Sequence, residues 1–409
     1  MVTNSTPSES QLPVSKRAQT FPESPIRAVA KLAVDAKKRG IEVYSLNIGQ
    51  PDTETPAALL AGLRDYHQNP IAYTPSSGEE TLVKYFQAYY QTFGIPLKPE
   101  QIQVTVGGSE AVLFTFMSVG DPGDEIIVPE PFYTNYRIIA QQAGLKIVPL
   151  PTSIGDGFQL PAEEVWTAAI TNRTRALLLC NPSNPTGAVY PRESLEFLAK
   201  LARKHDLFLI ADEVYREFLF DGLTSCSILE LPGIEDRAVV VDSVSKRFSL
   251  CGARVGCVVS RNEELMQASL RLAQGRLSAP SLGQAVAARG GLMGADYFES
   301  VRTLYQGRRD VVHEALEQIE GVVCPKPRGA FYAFAKFPVD DIDRFCRWLL
   351  TDFTEQSNQT VAMAPGPGFY TTPGRGQNEA RLAYVLNEKA MSAAIAILKR
   401  ALDVYPGRA

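Results

Sequence analysis

Between residues 101 and 259 the chain alternates short apolar runs with longer amphipathic stretches. The runs are QIQVTV (101–106), DEIIVP (124–129), LKIVPL (145–150), RALLLC (175–180), LFLIAD (207–212), AVVVDS (238–243) and RVGCVV (254–259). Between them lie helical patterns such as EAVLFTFMSV, NYRIIAQQAG and PRESLEFLAKLARKH. Nearly continuous apolar strands, each followed by a helix, predict an α/β fold. Its core is a mostly parallel seven-stranded sheet sandwiched by helices. In such a sheet the working residues belong just past the carboxyl ends of the strands.

Both flanks read differently. SPIRAVAKLAVDAKKRG (24–40) predicts an amphipathic helix ending on Gly40. Residues 284–322 read as helical. After them GAFYAFAKF and EARLAYVL, two strand-like runs, bracket the helical DDIDRFCRWLLTDF, and EKAMSAAIAILKRALDVY closes the chain as a helix. This α+β pattern predicts a second, smaller domain built from the N- and C-terminal segments. The expected division is a flexible arm over 1–24, a part of the small domain over 25–48, a large domain over 49–290 and the small C-terminal domain over 291–409.

Composition narrows the function classes. A length of 409 residues suits about two to three domains. The net charge of -4 supplies no global positive field for nucleic acid or anionic lipid, so neither is expected as a partner. The six cysteines form no CxxC pair and read as free thiols of a reducing, cytoplasmic compartment. The polar N-terminus has no apolar signal core. No run approaches the roughly 20 apolar residues of a membrane helix. The three histidines stand without metal-like spacing, so histidine and metal catalysis are not expected.

The chemistry gathers at the strand ends. After QIQVTV, two glycines and Ser109 open a helix. That is a seat for phosphate, or else a capped turn. After DEIIVP come Tyr133 and Tyr136, which could stack on a flat ring or simply pack. After RALLLC stands NPSNPTG (181–187), whose prolines and glycine hold two asparagines in place; it could also be only a rigid turn. Asp212 ends an apolar strand, where a carboxylate needs a positive partner, either a structural arginine or a protonated ring nitrogen. DSVSKRFSLCGARVG (242–256) holds Ser243, Lys246 and Arg254, with three cations and no acid between Ser243 and Arg254. Ser243, Arg254 and the helix start at Ser109 suit a phosphate, and Asp212 suits a cationic ring nitrogen. Tyr133 suits the ring face, Asn184 and Tyr215 a phenolic oxygen, and Lys246 an aldehyde with which it would form a Schiff base. Those four groups on one ring describe pyridoxal 5′-phosphate.

On NPSNPTG, ADEVY, SVSK followed by GARVG, and ARLAY, the chain resembles fold type I pyridoxal-phosphate enzymes of the class I/II aminotransferase family, within the aspartate aminotransferase-like group. The likeness runs from about residue 24 to the end. It implies that Lys246 carries the cofactor, Asp212 pairs with its ring nitrogen, Asn184 and Tyr215 meet its phenolic oxygen, and Tyr133 stacks on it. It implies that Ser109, Ser243 and Arg254 hold the phosphate, beside the Gly108 and Glu110 backbone. Tyr73, in AYTPSSG, matches a tyrosine lent to the neighbouring subunit, which implies a homodimer sharing its active sites. Arg381 matches the arginine that grips the substrate α-carboxylate, with the Gly49 backbone nearby; read alone, an arginine before a strand would be a surface ion pair. The implied reaction moves an amino group from an L-amino acid, aspartate first, to a 2-oxo acid such as 2-oxoglutarate, by ping-pong kinetics.

Some aspartate-specific members carry a lysine where this chain has Ser109, so another cation would have to meet a distal carboxylate; Lys16, Arg17 and Arg27 are the candidates. Alanine or aromatic donors, a β-lyase or decarboxylase on the same cofactor, and a non-catalytic binding protein are the alternatives. A dinucleotide-dependent oxidoreductase would need a GxGxxG after a strand, and the chain has none there.

Overall fold

The computed structural model describes residues 14–21, 25–353 and 358–409. Most of the segment read as an arm lies outside them. Its described part holds one helical turn, Lys16–Gln19, and the Gln141 side chain donates to the Thr20 hydroxyl at 2.8 Å. The first long helix is Pro25–Lys38, and Gly40 follows it with φ +82°. Strand β1 (Glu42–Ser45) comes next.

The seven expected strands form as β2 (Ile102–Thr105), β3 (Glu125–Glu130), β4 (Lys146–Pro151), β5 (Thr174–Cys180), β6 (Phe208–Asp212), β7 (Ala238–Ser243) and β8 (Gly256–Ser260). They make one sheet in the order β2-β8-β7-β6-β5-β3-β4. Strands β3 to β7 run parallel, while β8 runs antiparallel to both β7 and β2.

The apolar runs lack polar alternation because both faces are covered. In β5, Leu177 and Leu179 enter one core cluster with the helices Glu80–Gln91 and Arg192–Lys204. Ala176 and Leu178, which alternate with them, enter another with the helices Gly107–Val119, Asn135–Ala143 and Glu263–Arg276.

The C-terminal region adds β9 (Tyr332–Lys336), β10 (Gln359–Ala362), β11 (Ala364–Pro365) and β12 (Glu379–Ala383). Strands β11, β12 and β9 make an antiparallel sheet in that order, and β1 pairs in parallel with β10. The helices Ala295–Glu317, Ile342–Thr351 and Glu388–Val404 pack around them in a separate core that also takes in Leu46, Cys180 and Tyr215. This second core thus reaches the rim of the large sheet, where β5 and β6 end.

Candidate active site

Five of the strand ends converge on one rim. Tyr133 follows β3, Asn184 follows β5, Asp212 ends β6, Ser243 ends β7, and the Gly107–Val119 helix follows β2. Arg254 precedes its strand. Because β8 is antiparallel, its amino end lies at the same rim, with Gly256 in register with Ser243 and with Thr105.

A cavity of about 230 Å³ opens there. It is lined by Gly49, Gly108, Ser109, Tyr133, Asn184, Asp212, Tyr215, Ser243, Lys246, Arg254 and Arg381. Two further residues singled out in the sequence stand apart. Glu110 turns its carboxylate to the Val106 amide (2.7 Å) and to Arg276 (3.3 Å), outside the cavity wall, where it complements the start of its helix. Tyr73 is 81% exposed on a surface loop and does not line the cavity of its own chain.

At one end the groups are positive. Arg254, exposed and in the left-handed region with φ +54°, donates to the Cys251 carbonyl at 3.0 Å and the Val106 carbonyl at 3.4 Å. Among the described residues it has no carboxylate partner. Gly107, with φ +73°, leaves it room: a Cβ there would stand 2.5 Å from a guanidinium nitrogen. Ser243 caps the short helix Val244–Arg247, and its hydroxyl lies 2.8 Å from that of Ser245. Guanidinium, hydroxyls and a helix start together make an anion seat.

In the middle, Asp212 is buried. Its carboxylate accepts from the Tyr136 hydroxyl (2.6 Å) and the Val214 amide (3.3 Å). Burial pushes its pKa up to about 6, against the pull of those two bonds. No arginine or lysine pairs with it among the described residues, so the carboxylate waits for a cation. The Tyr133 ring meets Tyr136 edge-on at 5.4 Å. Burial raises the Tyr133 phenol to about 12, and its oxygen accepts from the Asn135 amide at 2.9 Å. Lys246, half-buried, donates to the Gly49 carbonyl at 2.9 Å. The Asn181 side chain, by contrast, clamps the Tyr190 backbone (2.9 and 3.1 Å) and so fixes the loop that presents Asn184.

At the other end Arg381 is 2% exposed. One nitrogen donates to Asn184 Oδ1 at 3.0 Å and another to the Asn47 carbonyl at 2.8 Å, while Nε has no partner among the described residues. Its guanidinium lies 4.4 Å from the Tyr332 ring centroid and 5.1 Å from that of Phe369. A buried guanidinium without a carboxylate, open to a cavity, is built to receive one.

The order of these parts along the chain has a family match. A family model described as aminotransferase class I and II matches residues 41–398. The chain belongs to the class I and II aminotransferases. This aminotransferase is 30% identical over 413 residues to a bifunctional aspartate aminotransferase and glutamate/aspartate-prephenate aminotransferase of Petunia hybrida, covering 96% of this chain and 84% of the relative. It is 31% identical to an aspartate aminotransferase of Bacillus subtilis, covering 96% and 99%. The aspartate aminotransferase of Thermus thermophilus with maleate superposes with a TM-score of 0.86 at 30% identity, covering 96% of this chain and all of that one.

Pyridoxal 5′-phosphate is the cofactor of this family, and the aminotransferase cavity fits it. The anion seat without a carboxylate, the buried Asp212 without a cation, and the lysine between them each answer one group of that molecule. Seven lining residues are not singled out by the sequence: Ile48, Val112, Cys180, Val214, Ser245, Cys251 and Tyr332. Tyr136 was seen but not as the partner of Asp212. Ser245 lies inside SVSK, a signal that could have found it. Tyr332 sits in a plain strand pattern, which carries no such signal. Of the cations considered for a distal carboxylate, Lys16 and Arg17 are exposed and do not line the cavity. The Arg27 side chain lies outside the described residues.

Proposed function

We propose that this aminotransferase takes the amino group of an L-amino acid, aspartate first, and gives it to a 2-oxo acid such as 2-oxoglutarate in two half-reactions. The observation that carries the reading is the meeting in one cavity of Lys246, Asp212 and an Arg381 that has no carboxylate partner among the described residues. The names of the relatives favour aspartate.

Bound pyridoxal 5′-phosphate supplies an aldehyde that condenses with amines and a ring that takes up the electron pair left when a Cα proton departs. The chain does the rest. Arg254, Ser243, Ser109 and the helix start hold the phosphate. Asp212, itself anchored by Tyr136, holds the ring-nitrogen proton. Tyr133 covers the ring face, and Asn184 and Tyr215 bond the phenolic oxygen. Arg381 binds the substrate α-carboxylate, with Asn184 and the Asn47 carbonyl fixing its fork. Lys246 holds the cofactor covalently and, once released, takes and returns the proton at the substrate Cα. The buried tyrosines stay protonated and can donate but not take a proton, since burial raises the Tyr133 phenol to about 12 and raises that of Tyr215 as well.

The site is completed across a homodimer, with Tyr73 of one subunit reaching the phosphate of the other; its exposure here suits that role. Cytoplasmic location and a division into a large domain over 49–290 and a small domain from both termini belong to the same reading. No described helix is long and apolar enough to cross a membrane.

The test is an absorbance spectrum of the cofactor-loaded protein given one amino acid at a time without any oxo acid. The band of the bound cofactor should give way to that of its aminated form with aspartate. Conversion by alanine or an aromatic amino acid alone would remove aspartate as the donor. A spectrum that no amino acid changes would overturn the half-reaction.

A further inference from the structure

We propose that Tyr332 is a positioning residue that joins the two ends of the cavity, orienting the Tyr215 hydroxyl and supporting the Arg381 guanidinium. The inference rests on the function proposed above and assigns work to a residue outside the family pattern read in the sequence.

Tyr332 opens β9 and is 2% exposed. In the antiparallel pairing of β9 with β12, Arg381 lies opposite Phe334, and Tyr332 stands two residues along the same strand. Side chains alternate with period two, so Tyr332 shares the face of the Phe334–Arg381 pair and is the diagonal neighbour of the guanidinium. The 4.4 Å separation from ring centroid to guanidinium follows from that register. A ring face stabilises a cation that has lost its water, and Arg381 has lost most of its own. The position also excludes alternatives: a Cβ on Gly49 would fall 1.9 Å from the Tyr332 oxygen, so the wall opposite must be bare backbone.

The hydroxyl reaches the other way. It lies 2.8 Å from the Tyr215 hydroxyl, with the rings edge-on at 5.6 Å. Among the described residues the Tyr215 hydroxyl has no other hydrogen-bond partner. Two hydroxyls sharing one bond spend one proton and leave one. With Tyr332 donating, the Tyr215 proton is left to point at an acceptor in the cavity, and the phenolic oxygen of the cofactor is that acceptor. Tyr332 therefore sets which way Tyr215 donates, without touching the reacting atoms itself.

Three variants separate these roles: Tyr332→Phe keeps the ring and loses the hydroxyl, Tyr332→Leu loses both, and Tyr215→Phe/Tyr332→Phe removes the pair. The readouts are the pH titration of the bound cofactor's absorbance, inhibition by the non-reactive carboxylate maleate, and thermal unfolding. A weaker bond from Tyr215 favours the protonated cofactor, so Tyr332→Phe should raise the titration midpoint by roughly 0.4 to 1 pH unit. It should leave maleate inhibition within about twofold of wild type, whereas Tyr332→Leu should weaken maleate by about three- to tenfold. The double variant should shift the midpoint no further than Tyr215→Phe alone. An unmoved midpoint in Tyr332→Phe, or additive shifts in the double variant, would overturn the link to Tyr215. Equal maleate inhibition in the Phe and Leu variants would overturn the support of Arg381. Should the Leu variant fail to fold, maleate binding to Tyr332→Met, which keeps the bulk without the ring, decides that half. A wild-type protein that shows no cofactor band would instead sink the function reading itself, before any variant is made.

Discussion

At Asp212 the fold buries a carboxylate and leaves it short of a cation. Burial moves its pKa from 3.8 to about 6. The folded chain therefore holds more protons than the unfolded one between about pH 4 and 6. The stabilising contribution of this group is present at low pH and is lost as pH rises through that window. In the cofactor-free protein, Asp212→Asn should raise the unfolding free energy at pH 7 by up to roughly 3 kcal/mol and flatten this part of the pH profile. In the loaded protein the same change should weaken the cofactor and slow turnover. Denaturant melts of both forms between pH 4 and 8 check the sign. Arg381 offers a second test at this scale. Lysine cannot reproduce a fork that reaches Asn184, Asn47 and a carboxylate together. Arg381→Lys should lower kcat/KM by about ten- to a hundredfold, mostly through KM, in steady-state kinetics with aspartate. Of the site, Lys246, Asp212, Asn184 and the phosphate seat were legible because rare residue types stand at strand ends in short, specific strings. Tyr332 was not, because a tyrosine in GAFYAFAKF satisfies a strand pattern whether or not its hydroxyl has a task. Arg381 was legible through family likeness alone.

Among the elements, the seven strands were written plainly in apolar runs, but the direction of β8 was not. Periodicity records which faces are buried and says nothing about which way a strand runs. That direction matters, since it brings Arg254 to the rim from the beginning of a strand while its companions arrive from the ends. The β1–β10 pair was also hidden: four residues on each side are too few to show a period. The turn between β2 and its helix is a tight constraint on the site. Gly107→Ala places a side chain at positive φ against the Arg254 guanidinium. It should cost about 1 kcal/mol or more in stability. It should also weaken the cofactor, by displacing Arg254. Equilibrium dialysis with pyridoxal phosphate measures the second effect apart from the first. Gly108→Ala, whose Cβ would meet only Ser243 at 3.7 Å, is the milder comparison.

For the whole molecule, a shared site makes an arithmetic prediction. If the site is shared as proposed, Lys246→Ala leaves no base and Tyr73→Ala leaves a neighbour's phosphate short of one contact, so each homodimer should be impaired. In a mixed dimer of the two, one site receives both defects and the other neither. Co-refolding equal amounts should therefore restore about a quarter of wild-type turnover, and sites confined to single subunits would restore none. The cavity wall has a further consequence. Gly49, Ser109, Asn184, Lys246, Tyr332 and Arg381 come from positions spread over most of the chain. A chain that has not yet docked all of these segments lacks part of the cavity wall, so tight capture of the cofactor should mark a finished protein. A ligand that recognises only the native state shifts the equilibrium toward it, by about 2.7 kcal/mol at a hundred times its dissociation constant. Vitamin supply thereby becomes a quality control on this chain: in a cell starved of pyridoxal phosphate, newly made copies should be shorter-lived under proteolysis.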